Sequence, residues 1–163
     1  MRKIVVLLLT VILIGACTSI DCPVQNFVGI NYAIKNNNRK SNPLDTDTLW
    51  IWSTRADGAD TILLNGLSGD NETFTLPISY TKPEDVLYTL LKDTLGNSWL
   101  DTIHVQKTDF QHFESVDCQV AFFHEIKAVT ITEHAFDSIV IKNSHVNYDP
   151  TYDHIYLYLK ADR

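Results

Sequence analysis

The sequence predicts an all-β protein, an antiparallel β-sandwich of immunoglobulin-like character with about eight to ten strands. Three observations carry the prediction. Apolar residues recur with a period of two, as where Val28, Ile30, Tyr32 and Ile34 alternate with Gly29, Asn31, Ala33 and Lys35. Such segments are short and separated by polar turns such as Ser68-Gly69-Asp70-Asn71. The chain has 163 residues, 45% apolar and 20% charged, which is one ordinary globular domain. Many short strands at that size most commonly pack as two sheets face to face.

The N-terminus stands apart from this pattern. Arg2 and Lys3 precede an apolar run from Ile4 to Ile14 broken only by Thr10, and Gly15, Ala16 and Cys17 follow. That order of charge, apolar run and small residues reads as a secretory signal peptide. As a helix the run reaches only about 16 Å, against a bilayer core of about 30 Å, which disfavours a permanent span. Ile14-Gly15-Ala16-Cys17 resembles the bacterial lipobox, in which the cysteine thiol accepts a diacylglyceryl group and becomes the mature N-terminus. The expected organisation is a lipoprotein signal peptide over 1–16, a short lipidated tether over 17–21 and one β-sandwich domain over 22–163.

From Val28 onward each element has its own justification. Lys35 to Pro43 is polar and aperiodic, hence a loop. Leu49 to Ser53 is an apolar, tryptophan-rich strand, and Thr61 to Leu64 is a short one that ends at the turn dipeptide Asn65-Gly66. Thr73 to Ser79 sets Phe74, Leu76 and Ile78 on one side. Thr81 to Lys92 is ambiguous: Pro83-Glu84-Asp85 could open a helix with Val86, Leu87, Leu90 and Leu91 on one face. The same stretch alternates as Val86, Tyr88 and Leu90. Strand-like flanks and the hairpin signal Leu95-Gly96-Asn97-Ser98 favour a strand. Trp99 to Lys107, Phe110 to Cys118, Val120 to Ile126, Val129 to Glu133, Ser138 to Lys142 and His154 to Leu159 complete the set. Asp-Thr-Leu, Asp-Thr-Ile and Asp-Ser-Ile triplets at Asp47, Asp60, Asp93, Asp101 and Asp137 are unequally spaced. They read as turn-ending aspartates, not as a repeat.

Charge and cysteines narrow the setting. The formal net charge of -7 disfavours a nucleic-acid partner. Without Arg2 and Lys3 the balance is 11 basic against 20 acidic residues, so a lipid and not a basic patch would hold the domain at a membrane. Thr18, where an Asp would signal retention, points to the outer membrane, and the near absence of an acidic run after Cys17 points to a periplasm-facing position. With Cys17 lipidated, Cys22 and Cys118 form an even pair in an oxidising compartment, and one disulfide is the simplest outcome. Free buried thiols or a reactive or metal-binding cysteine are the alternatives.

Candidate chemistry is sparse. His112, Glu114, Cys118 and His124 are the densest polar group, and imidazole, carboxylate and thiolate are zinc ligands. His112 and Glu114 share a strand face, but Cys118 is needed for the disulfide and a turn precedes His124, so a metal site with His112, Glu114 and His124 is a weak candidate. Asn147, Asp149 and Asp153 offer oxygens near Pro150, but without the glycine of a calcium loop an Asx-stabilised turn fits better. Trp50 and Trp52 share a strand face, and with Trp99 they are candidates for a sugar-binding platform, against the commoner role of core residues. There is no GxSxG, P-loop, GxGxxG, CxxC or HExxH pattern, and no cofactor is expected.

His112-Phe113-Glu114-Ser115-Val116-Asp117-Cys118, Phe122-Phe123-His124, Asp137-Ser138-Ile139-Val140-Ile141, Val146-Asn147-Tyr148-Asp149 and the opening Cys17-Thr18-Ser19-Ile20-Asp21-Cys22-Pro23 resemble an uncharacterised lipoprotein family of Bacteroidota. The resemblance implies a lipidated envelope protein of about this size and no activity, because the family is a domain of unknown function. The expected function is a membrane-anchored, non-catalytic binding or scaffolding module. Its partner would be a membrane-proximal envelope protein. Glycan binding through exposed tryptophans is the alternative, and a metal-dependent envelope hydrolase the least favoured one.

Overall fold

A computed structural model describes Cys22 and residues 27–36, 44–116 and 118–161, which contain strands and no helix. The leader over 1–16, Cys17, the tether up to residue 21 and most of the 35–43 loop lie outside the described residues. The strands are β1 (Gly29–Asn36), β2 (Thr48–Thr54), β3 (Asp60–Ser68), β4 (Thr73–Pro77), β5 (Glu84–Lys92), β6 (Ser98–His112), β7 (Ala121–Ile131), β8 (Phe136–Ile141), β9 (His145–Val146) and β10 (Ile155–Leu159). Four form one sheet in the order β4-β1-β10-β8, and six form the other in the order β3-β2-β5-β6-β7-β9. One apolar core joins the two, with Tyr32, Ile34, Phe136 and Leu157 from the smaller sheet and Leu49, Leu91 and Ile103 from the larger. The all-β, two-sheet expectation is met.

The expectation of a wholly antiparallel sandwich needs one correction. β1 and β10 run parallel, with Tyr32 opposite Ile155 and Asn36 opposite Leu159. A parallel pair needs a long crossover. Here all of β2 to β9 lies between the two strands: β2, β3, β5, β6, β7 and β9 build the larger sheet, and β4 and β8 add the outer strands of the smaller one.

The 81–92 stretch holds a strand and no helix: β5 begins at Glu84, lies between β2 and β6 and is hydrogen-bonded to both. Leu87, Thr89 and Leu91 turn inward, and Val86, Tyr88 and Leu90 are left on the outer side. A helix there would leave the facing edges of β2 and β6 unpaired.

Two further readings change. Asn65-Gly66 is not a turn but a bulge inside β3: Leu49 pairs with Leu67 and Trp50 with Asn65, so Gly66 is the extra residue. Its φ of 78° is left-handed, which glycine adopts without strain. The segments read as 99–107 and 110–118 are largely one strand, β6, and those read as 120–126 and 129–133 are largely β7. Lys127 has no opposite number in the ladder, because Lys107 pairs with Ile126 and Gln106 with Ala128. That bulge interrupts the period of two in β7 and splits the reading. In β6 the alternation of Ile103 and Val105 continues into Lys107 and Asp109, charged residues that conceal it. β6 ends at His112, so Cys118 sits in the β6–β7 connection and not in a strand.

β5 pairs with β6 only from Ser98 to Gln106. Beyond that, β6 continues to His112 paired with β7 alone. The two strands and their connection form the tip of the larger sheet at this end, flanked by Tyr80 and Tyr148, which stack on Phe122 and Phe123. The opposite end of β6 is the 93–97 hairpin. Strand geometry places it roughly 45–50 Å from the tip.

Candidate binding face and disulfide-bonded tip

The outer face of the larger sheet is aromatic. In β2, Leu49 and Ile51 point inward, so Trp50 and Trp52 share the opposite side, half-buried. Trp52 stacks on Tyr88 of β5 with ring centroids 5.8 Å apart. Lys92 Nζ lies 5.6 Å from the centre of the Trp50 ring, within reach of a cation–π contact. Exposed Ile62 and Leu100 extend the apolar area along β3 and β6. Trp99 does not join this face: it packs against the core beside its cross-strand partner Leu91, which is fully buried. The expected tryptophan triple is therefore a pair completed by Tyr88, because positions 50 and 52 share one parity of the sheet and 99 has the other. A flat apolar face with one cation at its edge can stack on sugar rings or seat an apolar protein surface.

At the tip, Cys22 and Cys118 form a disulfide with Cα atoms 5.6 Å apart. It closes a loop of 96 residue steps, worth about 4–5 kcal/mol on chain-entropy grounds. The predicted pair is the observed pair. His112 and Glu114 also meet as expected, with Nε2 2.9 Å from Oε1. The His112 ring stacks on Phe123 at 4.2 Å, and Tyr148 meets Phe123 edge-on at 5.0 Å. Partial burial, and then the nearby Glu114 carboxylate, push the Tyr148 hydroxyl up from its ordinary value.

His124 does not join them. It is paired directly with Asp109 across the ladder, three positions from His112, and therefore faces the interior. There Asp109 Oδ1 lies 2.6 Å from His124 Nδ1 and accepts a bond of 2.8 Å from Lys107 Nζ. Lys107, its side chain fully enclosed, also donates to the Lys82 carbonyl at 2.8 Å. Burial holds the His124 imidazole below its ordinary value, outweighing the attraction of Asp109. Burial raises the Asp109 carboxyl, but bonds from Lys107 and His124 outweigh that and hold it low. These directions favour a carboxylate at Asp109, bridging Lys107 and His124, and an uncharged imidazole at His124. Among the described residues, no three His, Cys, Asp or Glu side chains gather as a metal would require.

Two cavities flank this network. A cleft of about 400 Å³ is lined by Arg55, Leu63, Ser79, Lys82 and Asp85 among others, and the buried Ser79 Oγ has no hydrogen-bond partner. A groove of about 320 Å³ runs between Phe27, Ile78, Tyr80, Val120 and Phe122, with His124 at its wall. Asn147 and Asp149 form Asx turns. Asn147 Oδ1 accepts from the Asp149 amide at 2.8 Å, and Asp149 Oδ1 accepts from the Thr151 amide at 2.9 Å.

Sequence reasoning missed Asp101 and the Lys107–Asp109–His124 network. The signal existed: Asp101, Lys107 and Asp109 have the same parity as Ile103 and Val105, so a continuous strand turns all five to the inner face, with Asp109 only half-buried.

Residues 48–159 match the model of DUF6452, a family of unknown function, and the chain belongs to that family. No curated protein and no solved structure matches it.

Proposed function

We propose that this DUF6452 member is a lipoprotein of the Bacteroidota cell envelope, anchored in the outer membrane by a lipid on Cys17 and facing the periplasm. Its sandwich serves as a non-catalytic binding or scaffolding module for a membrane-proximal envelope protein. The Cys22–Cys118 disulfide carries the reading. It suits an oxidising compartment. It also engages two of the three cysteines, which leaves Cys17, at the end of the apolar leader, as the thiol for the lipid. The outer face with Trp50, Trp52 and Tyr88 is the surface such a module would offer. The test is membrane fractionation of Cys17→Ser. The variant should be released into the soluble fraction, whereas sedimentation with membranes after a high-salt wash contradicts the anchor.

A second reading, glycan binding, is favoured by one observation: Trp50 and Trp52 lie side by side on a sheet face with Tyr88 stacked beside them. A Trp50→Ala, Trp52→Ala variant should then lose retardation in gels containing soluble polysaccharide. Equal migration of wild type and variant in every polysaccharide gel counts against this reading. The hydrolase alternative has least support, since His112 with Glu114 and His124 with Asp109 lie on opposite faces of the β6–β7 ladder.

A further inference from the structure

Exposed apolar side chains are unevenly distributed along the molecule. Val116 is 98% exposed, Phe113 61% and Val120 41%, all in the β6–β7 connection. Phe27 at 60% and Tyr80 at 59% stand beside it, on the rim of the 320 Å³ groove. At the far end of β6, Leu95 alone in the 93–97 hairpin is comparably exposed, at 87%. Water-exposed apolar side chains gathered at one end mark a surface that something covers.

The chain itself indicates what that is. Cys118 lies within this tip and is bonded to Cys22. Cys22 is five residues after Cys17. Five residue steps span at most about 18 Å when fully extended. A lipid on Cys17 therefore brings a bilayer to the tip end of the domain, far from the 93–97 hairpin. The tip connection over 113–120 has no Lys or Arg; of its two acidic residues, Glu114 is paired with His112 and Asp117 lies outside the described residues. Attraction to anionic headgroups is thus not what would hold it; burial of Phe113, Val116 and Val120 is. Interfacial apolar residues sit about 5–10 Å into the headgroup and acyl boundary. Weak insertion suffices, because the anchor makes the contact intramolecular and raises its effective concentration to the millimolar range, on the order of that for short linkers.

We propose that Phe113, Val116 and Val120, flanked by Phe27 and Tyr80, insert into the bilayer that holds the Cys17 lipid and stand the sandwich upright with the 93–97 hairpin pointing away. The proposal rests on the anchor reading above. The sandwich then presents the Trp50 and Trp52 face sideways, parallel to the membrane normal.

The test uses the full lipidated chain in phosphatidylethanolamine–phosphatidylglycerol vesicles whose acyl chains carry bromine, which quenches tryptophan on contact. Val116→Trp and Leu95→Trp are compared with the wild type, so that Trp50, Trp52 and Trp99 are subtracted as background. Both positions are exposed turn sites that tolerate a larger side chain, and Val120→Trp serves as a second tip reporter. Vesicle flotation is measured on the same samples. The added Val116→Trp emission should fall by about half or more, in 0.1 M and 1 M salt alike, while that of Leu95→Trp should be unchanged. Flotation without quenching at 116 and 120 overturns the insertion and leaves the anchor standing. Loss of flotation overturns the anchor and the insertion with it. Unquenched tip emission that shifts to the blue with rising protein concentration assigns the tip to a second copy of the chain and also overturns the proposal.

Discussion

Asp101 is fully buried near the start of β6, and both of its oxygens accept hydrogen bonds. Thr132 Oγ1 and the His134 amide donate to Oδ1 at 3.0 and 2.7 Å, and the Ala135 amide donates to Oδ2 at 2.7 Å. One carboxylate thus satisfies the backbone of the β7–β8 connection, where the chain passes from the larger sheet to the smaller. Asp101→Ala would leave the buried Ala135 amide without its acceptor and release the bonds from the more exposed Thr132 and His134, at a cost of about 2–3 kcal/mol. Denaturant unfolding should show a lower midpoint with an unchanged slope, and a midpoint within error of wild type would remove Asp101 from this role. The role was hidden in the sequence. The Asp-Thr-Ile triplet resembles the turn-ending aspartates, and Asp93 does act so, accepting from the Leu95 and Asn97 amides at 2.9 and 2.8 Å. Asp93 and Asp101 differ only in where the chain around them goes, which local sequence does not record. The Cys22–Cys118 pair was legible because, once Cys17 is set aside for the expected lipid, two cysteines remain and admit one bond.

At the scale of the element, strands with unbroken alternation were readable and bulged ones were not. β1, β4 and β10 match their reading closely because apolar and polar residues alternate without interruption. β7 was split at Lys127 and β3 was cut short at Gly66, since an extra residue moves every later side chain to the other face. The bulge at Gly66 also sets up the aromatic face. A Cβ built on Gly66 would lie 3.6 Å from Trp50 Nε1, and φ there is +78°. The space is adequate, so the penalty of Gly66→Ala is conformational, about 1 kcal/mol from the left-handed backbone. Thermal unfolding should show a small drop, and an unchanged or raised midpoint would mean that the bulge relaxes to an ordinary ladder. β5 shows the opposite lesson: the local signal admitted a helix, and pairing with β2 and β6 decided for strand.

At the scale of the whole molecule, fold class and strand number followed from periodicity and length, whereas the parallel β1–β10 pair did not. Nothing local distinguishes a last strand that returns beside the first in parallel from one that returns antiparallel; the choice depends on how the six-stranded sheet fills the crossover. The candidate face was legible for Trp50 and Trp52, which share a strand, and not for Trp99, whose parity depends on the register of β5 with β6. The disulfide joins these scales to function. It ties Cys22 to the connection that follows the longest strand, so a lipid five residues upstream would orient the entire sandwich relative to the membrane. The most direct measurement is mass spectrometry of the mature chain extracted from the cell envelope and digested without reduction. The account predicts an N-terminal peptide that begins at Cys17, carries the mass of a diacylglyceryl group, and is bonded through Cys22 to the peptide containing Cys118. A mature chain that begins elsewhere, or a Cys17 peptide without acyl mass, would contradict it.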